Sequence, residues 1–261
     1  MADVGEINLE ALATGEIDLI AHAISAAENG ELSEPDLAAI DNAVAALAYS
    51  ARERIGITGS PGVGKSTLTG VLVSAFRERG KKVGVLAVDP SSVLTGGALL
   101  GDRIRMHEHY LDSGVFIRSM SARGHLGGLA KATPIASKLL AIAGYSPVIV
   151  ETVGVGQSEV EVMNHVDSTI VVLAPGAGDD IQSAKAGIME VADIFAINKS
   201  DRDIDEAKKM QGEILRAQEI SQRSDGWRPP VVLLSALERS GIDDLLAAIQ
   251  SHKEFRGRKN P

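Results

Sequence analysis

From residue 55 onward, short apolar runs alternate with longer amphipathic stretches. The runs at 55–58, 83–88, 115–117, 147–151, 168–174, 194–198 and 231–235 read as strands. Between them, apolar residues at helical spacing predict helices over 65–79, 102–111, 133–143, 158–164, 181–190, 203–221 and 241–251. Runs such as Val148-Ile149-Val150 and Ile170-Val171-Val172-Leu173 are apolar at every position. That suits parallel strands covered by helices on both faces, so the pattern predicts an α/β fold with a mostly parallel sheet.

Before residue 55 the rhythm is helical only. Ile7, Leu9 and Leu12 open one apolar face, and Ile17, Ile20, Ala23, Ile24 and Ala27 form a second, closed by Asn29-Gly30. Ser33-Glu34-Pro35-Asp36 is a helix start, followed by Leu37, Ile40, Val44 and Leu47. The expected organisation is a helical extension over 1–50, a nucleotide-binding domain over 51–252 and a short, basic, frayed tail over 253–261.

Composition narrows the function. No apolar run reaches the ~18 residues of a membrane span, and Met1 to Glu6 lack the features of a signal peptide. The chain has no cysteine, which removes disulfides, thiolate metal sites and cysteine catalysis. It fits a reducing, cytoplasmic setting. The net charge of −9 is concentrated at one end. Residues 1–50 carry ten Asp or Glu and no Lys or Arg, whereas the remainder is near neutral. No basic stripe marks a nucleic-acid binder. The acidic segment reads as a solvated face or as a docking surface for a basic partner.

Gly59-Ser60-Pro61-Gly62-Val63-Gly64-Lys65-Ser66-Thr67 matches G-x-x-x-x-G-K-[ST] between a predicted strand and a predicted helix. In that context it is a phosphate site. Glycines let backbone N–H groups turn inward, Lys65 reaches the β- and γ-phosphates, and the Ser66 hydroxyl can ligate Mg²⁺. Asn198-Lys199-Ser200-Asp201 matches N-K-x-D after an apolar strand. The Asp201 carboxylate can accept both N–H groups on the guanine edge, a donor pair adenine lacks, so GTP is expected over ATP. Ser235-Ala236-Leu237 looks like the loop whose backbone donors touch the guanine oxygen. Asp89, Asp102 and Glu151, at strand ends or in following loops, are candidate carboxylates for Mg²⁺.

Glu151-Thr152-Val153-Gly154 stands where a D-x-x-G element is expected, with Gly154 able to offer its N–H to the γ-phosphate. Val155 follows where many GTPases orient water with glutamine, so slow intrinsic hydrolysis is expected; Asp89, Asp102 and Gln157 are the candidates for positioning water. Arg103, Arg105, Arg118 and Arg123 are candidate charge-stabilising arginines. His107 and His109 sit at i, i+2 and share no helix face, which argues against a metal pair.

Several long strings then point to one family. Val88-Asp89-Pro90-Ser91-Ser92, the stretch 95–106, Arg123-Gly124-His125, the stretch 151–159, Pro175-Gly176-Ala177-Gly178 and 187–193 closely resemble the MeaB/ArgK family of G-protein chaperones. The resemblance implies a P-loop GTPase fold of the signal-recognition-particle-like class. It implies GTP or GDP as ligand, Mg²⁺ around Ser66, Asp89, Asp102 and Glu151, and guanine on Asp201 and Ser235–Leu237. The implied partner is an adenosylcobalamin-dependent acyl-CoA mutase, methylmalonyl-CoA mutase or a relative, whose cofactor loading, protection or reactivation the protein assists. Loops at 89–106, 151–165 and 175–185 would be the switches the mutase reads. The family's homodimer uses a helical arm beyond the point matching Pro261. The alternative is a metal-inserting GTPase of the nickel-chaperone kind, which calls for Cys or His ligands near the phosphate loop. A kinase would have no reason to select guanine.

Overall fold

The computed structural model describes residues 7–89, 109, 111–121, 126–152, 163–176, 191–220 and 223–259. Seven strands form: β1 (Arg54–Thr58), β2 (Val83–Asp89), β3 (Val115–Ser121), β4 (Val148–Thr152), β5 (Ser168–Leu173), β6 (Ile194–Ile197) and β7 (Val231–Leu233). Their order in the sheet is β3-β2-β4-β1-β5-β6-β7. The pairs β2–β3, β2–β4, β1–β5, β5–β6 and β6–β7 are all parallel. Every residue of β4, β5 and β6 is buried: the apolar runs 148–150, 170–173 and 194–197, and with them the polar Glu151, Thr152, Ser168 and Thr169. The chain divides into two units, Met1–Arg54 with Phe76–Val153, and Ile55–Ala75 with Gly154–Pro261.

In the first unit, α1 (Leu9–Leu12), α2 (Ile17–Asn29) and α3 (Glu34–Ala46) pack against α5 (Leu126–Ile142). Helix α2 buries Ile20, Ala23, Ile24 and Ala27 of the face its spacing predicts but leaves Ile17, in its first turn, 52% exposed, and it ends on Gly30 in the left-handed region (φ 69°). Helix α3 starts with a capping box between Ser33 and Asp36. Two elements outrun their sequence signals. Strand β3 continues to Ser121 because the charge of Arg118 is met inside the unit: its guanidinium donates to Glu28 at 2.5 Å and to Ser25 Oγ at 2.9 Å. Helix α5 begins at Leu126, not 133, so Pro134 lies inside it instead of in its first turn.

In the second unit, α4 (Lys65–Glu78) follows β1, and α6 (Ile204–Ile220) packs against β6 and β7. Val171, Phe195 and Ile197 meet Ala207, Met210 and Ile214 in that core. Helix α7 (Ile242–Lys259) extends well past the expected end at 251, so residues 253–259 are helical and not a frayed tail. Its polar C-terminal half is held by specific contacts. His252 Nδ1 lies 2.8 Å from Ser168 Oγ, Arg256 donates to Asp167 O at 2.6 Å, and the Phe255 ring stands 4.9 Å from Trp227. The predicted helix at 181–190, and most of those at 102–111 and 158–164, lie outside the described residues.

Candidate nucleotide site

The second unit brings three loops together at the C-terminal ends of β1, β6 and β7. The first is the loop after β1. Gly59 (φ 142°) passes so close to β5 that a Cβ there would stand 2.2 Å from Val172 O. Gly64 (φ 98°) passes equally close to Asn198, whose Nδ2 would lie 2.4 Å from a Cβ. Only glycine meets both demands of conformation and space at these positions. Val63 is 2% exposed and anchors the loop, while Pro61 and Gly62 face solvent. Ser60 is half-buried, and Thr67 is exposed on the first turn of α4.

Lys65 is 7% exposed, and its ammonium donates to Gly59 O at 2.5 Å and Ser60 O at 3.1 Å. Lys199 reaches the same loop, donating to Gly62 O at 2.5 Å. Two ammonium groups and the N-terminus of the 14-residue α4 are thus gathered at one loop, a favourable field for phosphate. Ser66, buried on the first turn of α4, brings a hydroxyl to the same place.

Asn198 ties the loops to one another. Its Nδ2 donates to Val63 O at 2.8 Å, and its Oδ1 accepts from Ala236 N at 2.9 Å. Its own N–H donates to Leu173 O at 2.8 Å. The side chain is 2% exposed, so its amide serves as an internal clamp between the phosphate loop and the loop after β7. Lys199 adopts φ 60°, a left-handed conformation that turns the chain sharply after β6. The Ser200 N–H donates to Leu234 O, and Asp201 follows, exposed.

The third loop, Ser235-Ala236-Leu237, is closed by paired bonds between Ser235 and Ser240 at 3.0 and 3.1 Å. Ser235 is buried and its Oγ accepts from Glu238 N; Ala236 is buried and gives its N–H to Asn198; Leu237 is 72% exposed. Sequence reasoning passed over Arg239 (φ 53°) and Gly241 (φ 72°), which shape this loop. A Cβ at 241 would stand 2.3 Å from Leu233 O. The signal was there: a glycine immediately before an amphipathic helix.

The candidate metal ligands other than Ser66 belong to the first unit. Glu151 is 1% exposed within β4, in register with Ala87 of β2. Asp89 closes β2, in register with Ser121. Asp102, Gly154 and Gln157 lie outside the described residues, as do Arg103, Arg105 and Arg123. Hydroxyl and carboxylate oxygens are the donor type that a hard cation such as Mg²⁺ takes. Arg118 is committed to Glu28 and Ser25, which makes it a structural arginine.

The arrangement agrees with what the chain is similar to. Residues 20–260 match the family model for the methylmalonyl-CoA mutase-associated GTPase MeaB. A GTPase of Pyrococcus abyssi is 52% identical over 202 residues, 77% of this chain and 62% of that protein. GTPase ArgK of Escherichia coli is 45% identical over 204 residues, 77% and 61% of the two chains. The mitochondrial methylmalonic aciduria type A homolog of Mus musculus is 43% identical over 194 residues, 74% and 47%. This chain therefore spans about three fifths of the length of the prokaryotic relatives it matches. Among solved structures, one described as an LAO/AO transport system kinase superposes with a TM-score of 0.75 at 30% identity, over 100% of this chain and 79% of that one. HypB from Helicobacter pylori in complex with nickel gives 0.58 at 18% identity over 86% and 97%, a likeness of fold alone. With its phosphate loop, its N-K-x-D loop and a family match over nearly its whole length, the chain belongs to the MeaB family of methylmalonyl-CoA mutase-associated GTPases.

Proposed function

We propose that the chain binds GTP with Mg²⁺, hydrolyses it slowly, and uses that cycle to assist a B12-dependent acyl-CoA mutase in cofactor loading, protection or reactivation. The observation that carries the nucleotide reading is the Asn198 clamp, which holds the phosphate loop and the loop after β7 around an exposed Asp201. That carboxylate accepts the two N–H groups of guanine, and the stem of Lys199, whose ammonium donates to Gly62 O, covers the base. The backbone of 59–67 wraps the phosphates, and Lys65 turns its ammonium from the loop carbonyls to the β- and γ-phosphate oxygens.

In hydrolysis, water attacks the γ-phosphorus in line with the bridging oxygen. The bond from that phosphorus to the bridging oxygen breaks, GDP leaves with the oxygen, and the attacking water becomes part of inorganic phosphate, its proton passing to a phosphate oxygen or to solvent. Lys65 neutralises charge that builds on the bridging and γ-oxygens. Ser66, with Asp89, Asp102 and Glu151 as the candidate carboxylates, would hold Mg²⁺, which would supply further neutralisation. Asp89, Asp102 and Gln157 are the side chains able to position the water, and Gly154 senses the γ-phosphate through its N–H.

The family match supports the mutase as partner. The metal-inserting alternative has less behind it. The chain has no cysteine, and among the described residues no three His, Asp or Glu side chains are grouped to hold a metal. The test is GTP turnover by this chain, alone and with an adenosylcobalamin-dependent acyl-CoA mutase. Slow turnover that rises several-fold with the mutase is expected; absence of GTP turnover under both conditions overturns the reading.

A further inference from the structure

We propose that Thr58 is a positioning residue for GTP: its hydroxyl serves the phosphate loop that starts at the next residue, and takes its hydrogen-bond partner when the nucleotide is bound. Thr58 ends β1 and is 1% exposed. Among the described residues, its Oγ1 is the one hydroxyl sealed from solvent with no hydrogen-bond partner. Other buried hydroxyls of the same unit are paired. Thr69 donates to Lys65 O at 3.0 Å, Ser168 Oγ lies 2.8 Å from His252 Nδ1, and Ser235 Oγ accepts from Glu238 N at 3.2 Å.

The strand itself does not need this hydroxyl. Thr58 stands in register with the buried Val171 of β5. Strand alternation puts it on the same face as Gly56, where Met163 Sδ and Val166 Cγ2 occupy the space a Cβ at 56 would take. Two of these three side chains are hydrocarbon, and the third offers only a weakly accepting sulfur. Valine has the same shape as threonine, favours strands equally and leaves nothing unsatisfied, so packing alone would select it at 58. A buried hydroxyl kept without a partner is a cost to the fold, and such costs gather at functional sites.

What sets Thr58 apart is the residue after it. Gly59 O accepts from the buried Lys65 ammonium at 2.5 Å. On the nucleotide reading above, on which this inference rests, that ammonium turns to the β- and γ-phosphate oxygens. Gly59 O then gives up a donor in a buried setting, and a buried carbonyl left unsatisfied opposes the movement. The Thr58 hydroxyl, on the adjoining residue, has a proton to give it, directly or through one water. That exchange lowers the cost of moving Lys65 and holds the base of the loop in its nucleotide-bound form. Thr58 thus acts through Gly59 and Lys65 and not by touching the phosphates.

The test uses the full chain with Thr58→Val, which keeps the shape and loses the hydroxyl, and Thr58→Ser, which keeps the hydroxyl. Calorimetric titration with GTP and Mg²⁺ gives affinity, and thermal unfolding without nucleotide gives stability. Thr58→Val is expected to bind GTP roughly tenfold more weakly, the worth of one hydrogen bond, while its unfolding midpoint without nucleotide stays at or above that of wild type. Thr58→Ser is expected to bind GTP within about twofold of wild type. A hydroxyl that serves only the fold gives the opposite pair, a lower midpoint with unchanged affinity. Wild-type GTP affinity in Thr58→Val, a lowered midpoint or failure to fold in that variant, or a Thr58→Ser as weak as Thr58→Val would each overturn the inference and leave the nucleotide reading standing. A wild type that does not bind GTP would refute the nucleotide reading, and this inference with it.

Discussion

Replacing Asn198 with alanine tests the clamp directly. The change removes the donor to Val63 O and the acceptor for Ala236 N, at 2.8 and 2.9 Å. Asn198, Val63 and Ala236 are each 2% exposed, so both backbone groups lose their partners in a buried setting. A buried polar group left unsatisfied costs about 1–3 kcal/mol. Because Gly62 and Leu237 beside them are exposed, water can recover part of that, and about 2–4 kcal/mol is the expected total. For a chain of this size that corresponds to a drop of about 4–16 °C in the unfolding midpoint, measured by calorimetry without nucleotide. Asn198→Asp separates the two bonds. It keeps an acceptor for Ala236 N but faces Val63 O with a carboxylate oxygen, acceptor against acceptor, so it should cost at least as much as losing the Val63 bond alone. A midpoint within 1 °C of wild type for both variants would refute the clamp.

Lys65→Ala removes the ammonium from the phosphate loop and should abolish tight nucleotide binding; unchanged GTP affinity by titration calorimetry would defeat the phosphate-loop assignment. Asp201→Asn should weaken GTP and shift preference toward xanthosine triphosphate, whose base offers an acceptor where guanine has its amino group; competition binding with the two nucleotides checks it. Burial pushes the His252 imidazole below its ordinary value of 6.5, with Arg256 and Arg223 acting in the same direction and Asp193 against it. The unfolded chain therefore binds this proton first, so stability should fall as pH drops below about 6.5, and His252→Gln should flatten that part of the urea-midpoint profile. Gly64→Ala strains φ 98° and drives a Cβ against Asn198 Nδ2, so combined with Asn198→Ala it should cost less than the two single changes added, as a double-mutant cycle on thermal stability would show.

The strands were readable because their cause is local in sequence. A parallel strand buried on both faces is apolar along most of its length, and 170–173 and 194–197 are apolar at every position. The ends of elements were less readable because their causes are distant. Nothing near Arg118 says that a charged residue belongs in the middle of β3; the reason is Glu28, on another element. Likewise 253–259 look like a solvated tail until Asp167 and Trp227 are seen beside Arg256 and Phe255. Such contacts override a local reading wherever polar side chains find partners from elsewhere in the chain.

The same division runs through the site. The motifs name the residues, and the exposure of Asp201 and burial of Lys65 suit the roles read from them. What the motifs do not say is why the letters are fixed. Gly64 is needed because Asn198 lies against it, and Asn198 is needed because Val63 O and Ala236 N must both be satisfied. The phosphate loop, the N-K-x-D loop and the Ser235–Leu237 loop are therefore one packing constraint written in three places. On the proposed nucleotide reading, the Asn198 side chain would act through the loops it joins: one amide bonded inside the protein would set the positions of the groups that phosphate and guanine meet.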